Sequence, residues 1–405
     1  MLVTAIGMSA LMVTRIQRRT FQGTHDASVA SDYADSAIEL ALWKIKQDAN
    51  WRQTYTHNTW VADQTIDRGT FKWKLVDTVD TDLNNDDTHP VRLVAWGMIG
   101  QTTQKASVKL IGSDALTCLE VALHAGNDLK IGGDLTSSQI ISSNNTVDAY
   151  NAGGQVNADV EAVNSIIGGG SYNGSTTTGI TARTMPDPNT VFDHYIANGT
   201  TIAWADLPTG PGGSKKMQQV VLSPGSNPYG AGQTNPQGIY VIHCGGGEIR
   251  IQDARIVGTL VLLNVASSSE IKNTVVWEPA VANYPALLVQ GDMSIFIDSA
   301  GTLDESIVAT PNLNPPGAPY NGQEDSDEID VYPCSFEGLV YVSNNLSTWY
   351  TAQIQGPVVV GNTYDLTSST FTVSYDPTYL NNPPPGFFAA GEVRIESGSW
   401  NKEVD

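Results

Sequence analysis

Acidic side chains set close together are the first candidates for chemistry in this sequence. Asp80, Asp82, Asn84 and Asp86 alternate along a loop, the spacing with which a calcium loop begins, because oxygens on every second residue can converge on one hard cation. The sixth position of that loop is Asn85 and the twelfth is Val91, where a calcium loop carries Gly and a bidentate Glu, so a solvated hairpin loop is the competing reading. A second run, Glu324, Asp325, Asp327, Glu328 and Asp330, is similar. Either becomes a calcium site only if backbone carbonyls of a neighbouring segment complete it; no other cofactor is expected.

Catalytic groupings are absent from the sequence. His25, His57, His89, His124, His194 and His243 are scattered, with no H-E-x-x-H spacing, and no G-x-S-x-G presents a nucleophilic serine. The stretch 210–216 resembles a phosphate loop only superficially, because Ser214 precedes Lys215 and no strong strand leads into it. Glycoside hydrolysis needs paired carboxylates, whereas here the strand cores carry Val, Leu and Ile and the acids fall in loops, so the expectation is a non-enzymatic protein. Trp204, Tyr229, Trp349 and Tyr350 could serve as sugar platforms if exposed; burial is the ordinary fate of such rings. Cys118, Cys244 and Cys334 show no metal-like spacing and read as three buried thiols or as one disulfide plus a thiol. The net charge of −21 repels polyanions, which argues against a nucleic-acid partner.

The elements that position these residues begin with a long helix over 1–50. Its head, 1–13, carries no charge, Arg15, Arg18 and Arg19 follow at once, and Ala30, Ala34, Ala37, Ile38, Ala41, Leu42 and Ile45 then recur at spacings of three and four. Such a helix is roughly 70 Å long, more than a small domain needs. Alternating patterns at 71–76, 91–99 and 105–111 predict an antiparallel meander within 51–113, whose apolar face the lower helix would cover. From 114 to 405 helical periodicity disappears. The segments beginning at Ile256, Phe336 and Ile354 share an apolar-x-Gly-x-apolar-x-apolar-x-Asn form, with Gly258, Gly338 and Gly356 as the bends and Asn264, Asn344 and Asn362 at the corners. Their glycines are about 80 and about 18 residues apart, near multiples of a ~20-residue coil. The expected fold is thus an α+β N-terminal unit, a long α-helix plus antiparallel meander, followed by a mainly-β domain. That domain is read as a right-handed β-solenoid running to about Ile395, with a jelly roll or irregular sandwich as the competing architecture. Loop insertions include 168–178, 223–238 and 311–330, and 187–198 suggests a short helix packed on the side.

The apolar head, Arg15, Arg18 and Arg19, the Ala-rich helix 32–42 and the strands up to Ile111 together resemble the type IV pilin-like proteins, in particular the large minor pilins and pseudopilins of type IV pili and type II secretion systems. The resemblance covers the first quarter of the chain; the family's basic leader ending in Gly and its N-terminal Glu are not in this sequence. It implies other pilin-like subunits and the membrane as partners, and an inner-membrane-anchored location facing the periplasm or cell surface. Leu2, Ile6, Leu11, Val13 and Ile16 are the expected assembly contacts, with Gly7, Ser9 and Ala10 small enough for helix backbones to approach. A carbohydrate-binding or adhesive module on the same anchor, with polysaccharide or a cell surface as partner, is the alternative, and a solenoid carbohydrate-active enzyme comes behind it.

Overall fold

The computed structural model describes residues 2–48, 50–84, 89–112, 115–306, 312–367, 369–389 and 393–403, with side chains from residue 11 onward. Two compact units are present, one formed by 1–114 with 388–405 and the other by 115–387.

The first unit is built on α1 (Leu2–Gln47). Ala30, Ala34, Ala37, Ile38, Ala41 and Ile45 form its buried stripe, as their spacing predicts, with Tyr33 joining it and Leu42 only half-buried at its side. Against that stripe lie β2 (Gly69–Asp77), β3 (Val91–Ile99) and β4 (Thr102–Gly112), paired antiparallel in sequence order, with β1 (Gln64–Ile66) on the outer edge of β2. β2 and β3 alternate buried and half-buried residues along their whole length, so Trp73, Leu75, Leu93 and Ala95 face the core cluster that holds the helix stripe. The helix approaches β3 closely because Gly97 has no side chain: a Cβ there would lie 2.2 Å from the Ala30 carbonyl oxygen and 2.6 Å from the Ala34 nitrogen. Since both atoms are backbone, Gly97→Val is expected to lever the helix off the sheet at a loss of about 1–3 kcal/mol. Urea unfolding of the intact chain, followed through the helical signal, checks it; an unshifted midpoint would contradict the packing.

The predicted division at 114 holds only on one side. Val393–Ile395 and Asn401–Glu403 pair antiparallel with β4, and Lys402 donates to Asp35 (3.0 Å) and Ser31 (2.9 Å) on the helix. The tail, 388–405, therefore belongs to the first unit, and the coils end before the expected Ile395.

The second unit is a stack of parallel coils. Among the described residues it contains parallel sheets of ten, eleven and five strands, one on each side of a shared core. The glycine-repeat reading holds in detail: Gly258, Gly338 and Gly356 have φ of +146°, +118° and +140°, and Leu260, Leu262, Val340, Val342, Val358 and Val360 behind them are all buried. The Asn corner is a ladder running through Asn164, Asn145 and Asn127, and through Asn362 and Asn345, with side-chain amides bonded from coil to coil. Asn264 instead adopts a left-handed conformation (φ 53°) at its corner.

The order of the coils departs from the sequence. The coil at 123–137 is followed outward by 141–157, 160–172 and 176–178, while its other side is taken by the last coil, 358–374, through Leu123 paired with Val358. Beyond that come 340–355, 287–297, 259–278, 239–257 and finally 200–218. The interval between Gly258 and Gly338 holds coils 259–278 and 287–297 and an insertion with a hairpin of Thr302–Asp304 against Val331–Pro333, not four regular turns. Of the segment predicted as a lateral helix, 187–198, only Asp193–Asn198 is helical, and the segment does cover the ten-stranded sheet: Val191, Phe192 and Tyr195 bury its outward-facing Val241, Val261, Leu288, Tyr341 and Val359.

Candidate functional site

Residues 11–25 of α1 are exposed on every side, and they include Leu11, Met12, Val13, Ile16 and Phe21. Three of the expected assembly contacts, Leu11, Val13 and Ile16, are among them; the side chains of Leu2 and Ile6 lie outside the described residues. The same stretch carries Arg15, Arg18 and Arg19, so it is at once apolar and basic. Among the described residues no helix is long and apolar enough to cross a membrane.

The four predicted aromatic platforms separate. Tyr229 is buried and offers no face to solvent, and Trp204 packs half-buried against the coil core, its ring lying over Gly247. Trp349 and Tyr350 share the outside of the eleven-stranded sheet with Phe296. Phe296 points outward from the strand Met293–Ile297, whose Met293, Ile295 and Ile297 point inward. Its ring stacks on Trp349 with centroids 5.5 Å apart and planes at 10°, while Tyr350 stands 6.1 Å away and 64 % exposed. Tyr350 has φ +64°, a conformation that costs an aromatic residue about 1–3 kcal/mol and turns its ring out to solvent. Beside them the Thr351 hydroxyl donates to Asp298 (2.9 Å). Phe296 was legible as an aromatic in an outward position of an alternating strand, but only once the strand was placed.

Not all acids fall in loops as expected. Along the outside of the same sheet Asp148, Lys130, Asp365, Ser347, Ser294, Glu270, Arg250 and Lys216 lie side by side in register. Opposite charges alternate there: Lys130 sits between Asp148 and Asp365, and Glu270 accepts from Arg250 (3.3 Å) and Lys272 (2.9 Å).

In the acidic loop of the first unit, Asp80 gathers with the buried Asp77 and with His89, whose Nδ1 lies 3.4 Å from Asp77 and 3.6 Å from Asp80. Asp82 and Asn84 take another course. The Asp80 carboxylate accepts the Asp82 N–H (3.1 Å) and the Asp82 carboxylate accepts the Asn84 N–H (3.0 Å), the turns that let the loop reverse. Asp86 lies outside the described residues. Arg52 anchors the loop by donating to the His89 carbonyl (2.6 Å). Sequence spacing missed Asp77 and His89 because they sit at the two ends of the loop rather than at alternate positions.

All three cysteines are free thiols. Burial pushes Cys244 up to about 12 and raises Cys118 and Cys334 as well, so none is poised as a nucleophile. His124 is fully buried in the ten-stranded sheet, 2.6 Å from the Ser142 hydroxyl, and desolvation, with the charge of Arg183 second, lowers it to about 3.

No protein-family model matches this sequence, and a search of curated proteins finds no match. Among solved structures, the chain is similar to the competence-associated pilin ComZ of Thermus thermophilus, at 10 % identity and a TM-score of 0.34, over 94 % of this chain and 98 % of that one. It is also similar to an ice-binding protein from an Antarctic biological consortium (12 % identity, TM-score 0.27, 65 % of this chain and 91 % of that one). A third similarity is to the ice-binding protein of the Antarctic ascomycete Antarctomyces psychrotrophicus (13 % identity, TM-score 0.23, 64 % and 98 %). At these scores no residue's role is carried across.

Proposed function

We propose that this chain is a non-enzymatic, pilin-like structural subunit that assembles through the exposed half of its N-terminal helix and displays the acidic coil stack. The observation that carries the reading is the contrast within α1: its second half is seated on a sheet of its own chain, whereas Leu11, Met12, Val13, Ile16 and Phe21 in 11–25 are exposed among the described residues. Exposed apolar side chains along one helix are stabilised by packing against like helices, and the occupant we assign is the corresponding helix of neighbouring subunits. Arg15, Arg18 and Arg19 suit the boundary with anionic headgroups, which supports our reading of an assembly in a bacterial-type envelope, anchored at the inner membrane. The coil stack is taken as right-handed, the hand that parallel β crossovers adopt.

The test is fractionation of cells expressing the chain beside a Leu11→Asp/Ile16→Asp variant. Both positions are exposed, so the fold is expected to be unaffected. Wild type is expected with membrane or sheared filaments, and the variant is expected to shift at least about tenfold toward the soluble fraction. Equal distribution of the two would sink the assembly reading. A second reading, display of a carbohydrate-binding face, is favoured by one observation only, the Phe296, Trp349 and Tyr350 cluster on the outside of the coils.

A further inference from the structure

The coil stack ends differently on its two sides. At one end the ten-, eleven- and five-stranded sheets all finish on a single coil, with Thr176–Thr178, Ser165–Gly168 and Ser171–Tyr172 as their last strands. A last strand has no neighbour for the backbone N–H and C=O groups on its outer side, so three strand edges open in the same direction. The chain does not fold back over them. After Thr178 it runs along the flank of the stack, where the Arg183 N–H donates to Asn144 (2.7 Å) and the guanidinium pairs with Glu120 (2.6 Å) and Glu161 (2.8 Å). The core is accordingly open at this end. Ile166 and Tyr172, in register with the buried Val147 and Val156, are only half-buried, and Thr176 and Thr178, in register with the buried Val160 and Ala162, are exposed.

The opposite end is closed. Its last coil, 200–218, buries Ile202, Leu207 and Met217, and Tyr229 of the loop that follows is buried in the same core. Pro208, Pro211, Lys215 and Lys216 belong to that coil, and Pro and Lys are the residues with which natural sheets blunt an edge. The open end has neither. From Ala162 to Ala182 the chain carries no Asp, Glu, Lys, Arg, His or Pro, in a protein of net charge −21. Copies of so acidic a chain repel one another over most of their surface, and this uncharged coil is where two of them can meet without like charges opposed.

We propose that the coil end at 160–178 docks onto the same end of a second copy, the two stacks joining end to end about a two-fold axis. The shape of the end selects that occupant. A lone strand of another protein pairs with one of the three edges, whereas a coil end of the same three-sided form meets all of them at once. Joining by the opposite end is blocked, because that end carries its own cover. About a two-fold axis the last strands of the two copies run antiparallel, the more stable of the two pairings, and Ile166 and Tyr172 of both copies close into one core. One coil from each copy comes close to the lower bound of about 20 residues a side that stable interfaces use. This contact is separate from the one made by residues 11–25 of α1, and it links subunits through the domains they display.

The experiment uses the full chain carrying Leu11→Asp/Ile16→Asp, which silences the helix contact so that the two contacts are read separately. Sedimentation equilibrium is expected to give a monomer–dimer equilibrium in the micromolar range. Hydrogen exchange of the amides of 165–168 and 176–178 is expected to slow as the chain is concentrated. Thr177→Glu and Ile167→Glu, both at exposed positions, set like charges across a symmetric seam. Each is expected to raise the dissociation constant at least about tenfold with the circular dichroism unchanged. Thr201→Glu, exposed at the closed end, is expected to leave dimerisation as it was. A monomer at every concentration up to millimolar, or a dimer that both Thr177→Glu and Ile167→Glu leave intact, overturns the proposal.

Discussion

Replacing Gly356 by Val is expected to destabilise the coil stack by about 2–6 kcal/mol, from roughly 1–3 of backbone strain and a similar amount of overpacking. The strain arises because Gly356 has φ +140°, a conformation effectively reserved for glycine. The overpacking arises because a Cβ there would lie 2.4 Å from the carbonyl oxygen of Gly338, the equivalent bend one coil away. Two bends stacked on each other leave no soft neighbour to give way, since the contacting atoms of Gly338 are all backbone. Gly245→Ala separates the two causes: φ is +61° there, with no atom near enough to collide. It is expected to cost only the strain, about 1 kcal/mol. Urea midpoints followed by the β signal compare the two, and equal losses would show that stacking at the bends contributes nothing.

The second large effect is on acid stability. His124 is lowered to about 3 in the folded chain by burial, helped by Arg183, against about 6.5 when unfolded. The depressed value means that the folded state holds the neutral ring. Above pH 6.5 neither state takes the proton and the residue contributes no pH dependence. As pH falls from 6.5 toward 3 the unfolded chain binds a proton that the folded chain refuses, so stability is lost over that window and levels off below it. The full shift sets an upper bound of about 4–5 kcal/mol, and by pH 4 about 3 kcal/mol is expected to be gone. His124→Gln keeps a hydrogen-bonding group for Ser142 and removes the titration. Arg183 also pairs with Glu120 (2.6 Å) and Glu161 (2.8 Å), whose titrations are common to both proteins and cancel in the difference. Stability at pH 7 minus stability at pH 4 is expected to be about 3 kcal/mol smaller in the variant; parallel profiles would refute the assignment.

How far the sequence could be read followed how local the cause was. The Ala stripe of α1, the alternation of β2 to β4 and the bends at Gly258, Gly338 and Gly356 are set by spacing within one element, and each stands in the structure. The antiparallel alternatives for the second unit fall to the parallel ladders. What escaped was decided by distant partners. Nothing near Leu123 announces that Val358 will lie beside it, and nothing near Val393 announces that it will join β4. The candidate sites divide the same way. Trp349 and Tyr350 were visible as aromatics, but the Phe296 that stacks on Trp349 lies in the neighbouring coil, on the far side of the insertion in sequence. The acid run 324–330 was visible, while Glu305 and Asn314 come to it only through the hairpin of the insertion.

The coil order has a further consequence. Because the first and last coils are neighbours, the second unit begins and ends in the middle of its own stack, and the Leu116 N–H donates to the Phe387 carbonyl at 2.9 Å. It is an insert with its two ends tied together, spliced into the other unit between β4 and the tail. Both free ends of the stack are made of mid-chain coils, so duplication of a coil at either end lengthens the array without moving the splice. The same wiring delays folding: the stack has no chain end from which to zip, and its central pairing must close a loop of more than about 200 residues before the two arms share a core. A cassette wired in this way can be lengthened, or transplanted into another host hairpin, with a single pair of junctions to redesign.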